Sequence, residues 1–92
     1  MEKIEKLYTC LDDSTNILRD VLNKNYIDAL FISSRNILED DLILKNIPQA
    51  VIEKLKAIYQ KIDNLEMTKE EIRQAVAFNI MKAFKEDNIK NS

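Results

Sequence analysis

Carboxylates are the first groups in this chain that could do chemistry, and they cluster at Asp12-Asp13 and Glu39-Asp40-Asp41. Oxygen ligands grouped in this way can hold a hard cation. Neither cluster has the alternating Asp-x-Asp-x-Asp-Gly spacing of a calcium loop, and the chain has no glycine to turn one sharply. Neighbouring residues of a helix point about 100° apart, so Asp12 and Asp13 do not share a face. Both clusters read as solvated surface, and no metal is expected. A catalytic carboxylate pair needs a cleft that pushes one pKa upward. A small helical domain offers little room for one.

The remaining nucleophiles lack partners. Cys10 is the single cysteine, so no intrachain disulfide can form, and it falls within a helical stretch away from any helix N-terminus that would activate it. It reads as a core residue. The hydroxyls of Ser14, Thr15, Ser33 and Ser34 would need a base, yet the chain contains no histidine. Serine–lysine catalysis would require a desolvated lysine, and nothing singles one out. The missing glycine also removes the phosphate-cradling and dinucleotide-binding loops. Tyr8, Tyr26 and Tyr59 read as core-edge residues whose hydroxyls reach water. No enzymatic activity and no cofactor are expected.

Composition narrows the class further. Of 92 residues, 46% are hydrophobic and 33% charged, which is the balance of a globular domain. The net charge of -2 and a pI near 5.1 give no basic face for nucleic acid. No stretch approaches the length of uncharged apolar sequence that membrane insertion needs. Met1-Glu2-Lys3-Ile4-Glu5-Lys6 lacks the pattern of a secretory leader. With its lone thiol, the chain is expected in the cytoplasm.

Helical periodicity runs through almost all of it. Ile4, Leu7, Leu11, Leu18, Val21 and Leu22 recur at intervals of three and four, or sums of them, which predicts an amphipathic helix over about 2–23. Polar residues 12–16 interrupt the stripe. No proline or glycine punctuates them, so continuity with a polar layer is favoured over a break. Asn23-Lys24-Asn25 offers a left-handed stop followed by an N-cap at Asn25, with Asp28 near the positive helix end. A second helix is expected over about 26–40, with Tyr26, Ala29, Leu30, Ser33 and Ile37 along one stripe. The acidic cluster at 39–41 suits a helix C-terminus badly. Leu42-Ile43-Leu44 is expected to fold back over the core. Asn46 and Gln49 form an acceptable capping pair around Pro48, opening a third helix over about 48–63. Thr68-Lys69-Glu70-Glu71 is a capping box, and Met67 with Ile72 is a hydrophobic staple. They open a fourth helix over about 69–86, leaving 87–92 as a frayed tail. The expected architecture is all-α, a single-domain antiparallel four-helix bundle spanning residues 1–92.

One segment exceeds structural need. Ala75 to Phe84 holds eight apolar residues in ten. Ile72, Val76, Ile80 and Ala83 define a core stripe, while Phe78 and Met81 fall on roughly the opposite side. A bundle helix needs about three apolar positions in seven. Phe78 and Met81 therefore need cover, either from residues 42–44 or helix one, or from another molecule. Lys82 and Lys85 flank them, so Phe78, Met81, Lys82 and Lys85 are the candidate interface.

These features favour a small regulator, adaptor or antagonist that binds another protein or itself, of the kind carried by phages, plasmids and other mobile elements. The size and four-helix layout also resemble the intracellular immunity proteins of pediocin-like bacteriocins. That resemblance implies protection of a producer cell by engaging a targeted membrane receptor complex. A third reading is a helical oligomer that sequesters an anionic small molecule through Arg19, Arg35 or Arg73.

Overall fold

The computed structural model describes the backbone of residues 2–35 and 37–91 and the side chains of 2–35 and 37–86. Among them there are five α-helices, one 3-10 turn and no strand: α1 (Glu2–Leu22), α2 (Tyr26–Ser33), the turn Ile37–Glu39, α3 (Asp41–Leu44), α4 (Gln49–Asn64) and α5 (Lys69–Asn91). α1 is the hub. It packs against α2, α4 and α5, and α2 also packs against α5. The assembly is a slab of 38 × 31 × 17 Å, so it is thin enough that a helix buried on one side meets solvent on the other.

α1 runs unbroken through the polar stretch, and the reason lies in how it is used. Ser14 and Thr15 are fully buried with Ser33 of α2. Their hydroxyls lie 3.0 and 2.7 Å from the Leu11 carbonyl, and Thr15 Oγ1 stands 3.0 Å from Ser33 Oγ. Ser33 Oγ is also 3.0 Å from the Leu30 carbonyl. Thr15 and Ser33 carry one proton each but share three such contacts, so two are made at a time. This polar layer divides the core. On one side Leu18, Ala29, Ile37, Ile47 and Leu55 cluster, and on the other Leu7, Leu11 and Ala75.

Local chemistry sets most boundaries. Asn23 adopts φ 53°, which asparagine tolerates, and Asn25 caps α2 by accepting from the Asp28 N–H at 2.8 Å. α2 ends at Ser33 rather than 40. Ser33 and Ser34 turn their hydroxyls onto the carbonyls of Leu30 and Phe31, the competition with the backbone that makes serine a poor helix continuer. The acidic cluster then starts a helix instead of ending one: Asp40 accepts from the Leu42 and Ile43 N–H groups at 3.1 and 3.3 Å and caps α3. Among the described residues five α-helices therefore replace the expected four, with α2, α4 and α5 packed on α1.

The expected Asn46–Gln49 capping pair does not form. Asn46 donates back to the Leu42 carbonyl at 3.4 Å, Gln49 donates to Glu53 at 2.9 Å, and Pro48 stands at the N-cap of α4. The capping box at Thr68 does form, with Thr68 N–H to Glu71 Oε1 at 3.0 Å and Glu71 N–H to Thr68 Oγ1 at 3.1 Å. Met67 and Ile72 both pack against the Leu7–Leu11 cluster, as a staple requires. α5 continues past the expected end at 86 to Asn91. The fraying expected of 87–92 falls on side chains outside the described residues, as does Ser92 altogether.

Candidate functional site

α5 carries apolar residues around most of its circumference. Ala75 and Ala83 are buried, with Ile72, Val76 and Ile80 half-buried beside them, so one side faces α1 and α2. The opposite side holds Phe78 at 57% exposure and Met81 at 62%, with Phe84 at 46% on its edge. Phe84 reaches across to Phe31 of α2, also 46% exposed, with ring centroids 6.5 Å apart and an edge-on angle of 71°. The four side chains make an exposed apolar ridge along α5 and onto α2.

Neither cover suggested by the sequence closes this ridge. Ile43 of α3 packs against the Leu18 cluster, and Leu42 is 75% exposed. From α1 comes Tyr8, whose ring centroid lies 6.1 Å from that of Phe78 at an angle of 40° and which leaves Phe78 57% exposed. Of the four candidate interface residues, Phe78 and Met81 form the ridge, and Lys82 and Lys85 are exposed beside it. Phe31 and Phe84 also belong to it. Phe84 was visible in sequence as part of the apolar excess of its helix, whereas Phe31 joins only through the packing of α2 on α5.

A pocket of about 320 Å³ opens beside the ridge. Tyr8 and Asp12 of α1, Tyr26 of α2, and Phe78, Lys82 and Glu86 of α5 line it, with Asn79 and Ala83. The Tyr26 hydroxyl donates to Asp12 Oδ1 at 3.0 Å. Burial, reinforced by that bond to Asp12, pushes the Tyr26 pKa up to about 12. Asn79 Nδ2 is buried and has no hydrogen-bond partner among the described residues.

The other reactive groups sit in quieter surroundings. Cys10 is buried at the floor of a groove of about 710 Å³ between α1 and α4, and burial raises its thiol pKa. Arg19 faces Asp20 at 4.0 Å and Arg73 faces Glu70 at 3.6 Å, while Arg35 borders a cavity of about 480 Å³ with Glu39 and Asp63. Among the described residues no three His, Cys, Asp or Glu side chains come together as metal ligands, and no helix is long and apolar enough to cross a membrane.

Residues 5–84 match the family described as the YtxK N-terminal helical domain. The chain belongs to this family. The matched span runs from Glu5 in α1 to Phe84 in α5, so the whole Phe31–Phe78–Met81–Phe84 ridge lies inside the family's domain. No curated protein and no solved structure matches the chain. The family match gives no support to the resemblance to bacteriocin immunity proteins.

Proposed function

We propose that this YtxK-type helical domain is a non-enzymatic protein-interaction module, and that the ridge on α5 docks an amphipathic helix of a protein partner. The observation that carries this reading is the exposure of Phe78, Met81, Phe84 and Phe31 together in a domain whose other helices cover nearly all their large apolar side chains. Phe78, Met81 and Phe84 are spaced by three along one helix, so successive side chains are neighbours and the ridge winds about 120° round the helix from Phe78 to Phe84. Helix-in-groove and helix-on-helix docking use anchors at such spacing. Aromatic and methionine side chains are the types enriched at interface centres. Lys82 and Lys85 beside the ridge favour a partner helix with acidic residues flanking its apolar stripe. The family is named for the N-terminal part of YtxK, so in YtxK the domain has further protein next to it in sequence. A neighbouring protein surface is what the α5 ridge would need here. A regulator or adaptor role follows from this activity, with the cytoplasm as its setting.

Site-specific photocrosslinking in the native host tests the reading. A benzophenone amino acid replaces Met81, and in a control replaces the exposed Lys54 of α4. A discrete adduct from position 81, absent from position 54 and lost with an added Phe78→Ser change, is the expected result. An adduct of twice the chain's mass would make the partner a second copy and replace the proposed partner. No adduct, or equal adducts at both positions, would overturn the docking role.

A further inference from the structure

We propose that the pocket between α1, α2 and α5 receives an arginine side chain of the partner docked on the α5 ridge. This rests on the docking role above and adds the chemistry that would orient the partner. The pocket shares Phe78 with the ridge, so a chain lying along α5 passes its mouth. Three aromatic side chains line it. Tyr8 and Phe78 stand 6.1 Å apart at 40°, two walls of a wedge, and Tyr26 is the third. Two carboxylates, Asp12 and Glu86, line it against a single cation, Lys82, together with Ala83 and the amide of Asn79, which lacks a partner for its Nδ2 among the described residues and, turned over, offers a guanidinium its oxygen.

Aromatic faces attract cations through the ring quadrupole, and carboxylates supply acceptors. Guanidinium suits both. It is flat, weakly hydrated, stacks on rings and pairs with a carboxylate through two N–H groups. Asp12 is already oriented, because Tyr26 holds its Oδ1, and this leaves the other oxygen and further lone pairs to accept. Among the described residues Lys82 makes no ion pair with Asp12 or Glu86, so it neutralises neither carboxylate there. The volume of about 320 Å³ lies at the small end for binding pockets, which begin near about 300 Å³, and suits one side chain rather than a large ligand. Lys82 and Lys85 facing acidic residues, with this pocket facing a basic one, would give the partner a charge pattern that fixes its direction along α5.

The probe is N-acetyl-arginine methylamide, titrated into ¹⁵N-labelled protein. The neutral citrulline analogue serves as the isosteric control. Saturable shifts centred on Tyr8, Asp12, Phe78 and Lys82 are expected from the arginine compound, with the citrulline compound at least about 5-fold weaker. Asp12→Asn keeps an acceptor for Tyr26 and should weaken binding about 5-fold; Glu86→Gln should weaken it about 3-fold. Lys82→Ala removes the competing cation and should strengthen binding about 2-fold. Shifts that never saturate, or that match for citrulline, would overturn the proposal. So would binding that survives the Asp12→Asn/Glu86→Gln pair.

The two proposals fail separately. A crosslink at position 81 undiminished by Asp12→Asn/Glu86→Gln would remove the arginine pocket and leave the docking role standing. Saturable arginine binding with no crosslink at 81 would remove the partner, and with it the pocket's assigned occupant.

Discussion

α4 and α5 are joined by four residues and carry the same proportion of apolar side chains, yet they use them differently. In α4, Ala50, Val51, Ile52, Leu55, Ala57, Ile58, Tyr59 and Ile62 make up 8 of 16 residues; between Lys69 and Glu86 in α5 the count is 9 of 18. Every large apolar residue of α4 is buried or half-buried, on one side of the helix. α5 spreads the same content round its axis and leaves Phe78, Met81 and Phe84 in solvent. Equal hydrophobicity therefore separates into structural need in α4 and surplus in α5. The proposed docking surface rests on that surplus.

The sharpest way to break this contrast is to remove a core side chain from α4. Leu55 is fully buried in the Leu18–Ala29–Ile37 cluster. Leu55→Ala should cost about 3 kcal/mol, as truncation in a packed core does, read as a lower midpoint in urea. A cost below about 1 kcal/mol would mean that α4 is no better anchored than the outer face of α5.

The turn between the two helices gives two smaller tests. Glu66 adopts φ 54°, where a glycine would sit without strain, but the chain has none. A left-handed backbone costs an L-residue about 1–2 kcal/mol, partly offset when glycine loosens the unfolded chain. Glu66→Gly should thus raise the denaturation midpoint by the equivalent of about 0.5–1 kcal/mol.

Two residues on, Thr68→Ala should cost on the order of 1 kcal/mol by stripping an acceptor from the first turn of α5. Its partner Glu71 adds a pH signature. The backbone N–H of Thr68, and then its hydroxyl, hold the exposed Glu71 carboxyl below its ordinary 4.5. A carboxylate with a lowered folded pKa contributes stability above its unfolded pKa, and loses it as pH falls through the folded one. Stability should decline across that acidic window, and Glu71→Gln should flatten the decline.

Which of these features were legible in the sequence follows from how far apart their partners lie. The Asn25 cap, the left-handed Asn23 and the Thr68–Glu71 box each close within a turn, so residue type and spacing sufficed. The surplus on α5 was also legible, because periodicity alone places Phe78 and Met81 away from Ile72, Val76 and Ile80. The end of α2 was not. Its apolar stripe runs on to Ile37, and that residue is indeed buried, but as part of a 3-10 turn rather than a helix. Periodicity records burial and says nothing of the serines that stop the helix. Asp40 was misread for a related reason: an acidic run that opposes one helix end equally suits the start of the next. The pocket at Tyr8, Asp12, Tyr26 and Phe78 draws on three elements up to seventy positions apart, and no local rule joins them.

A small expected change in stability carries the most weight for function. Phe78→Ser with Met81→Gln replaces two ridge residues by polar ones on a helix that tolerates either. Phe78 gives up its contact with Tyr8, an aromatic pair of about 0.5–1.5 kcal/mol at full strength. At 57% and 62% exposure the two side chains have little further burial to lose. The double variant should keep its helical circular dichroism and fall by no more than about 1 kcal/mol. Sedimentation and crosslinking should show association through α5 abolished. Were the ridge part of the core instead, the same changes would cost several kcal/mol and unfold a domain whose whole stability is about 5–10 kcal/mol. Unfolding would thus erase the distinction between α4 and α5. A folded variant with unchanged mass and unchanged crosslinks would leave the distinction but deprive the exposed face of its partner.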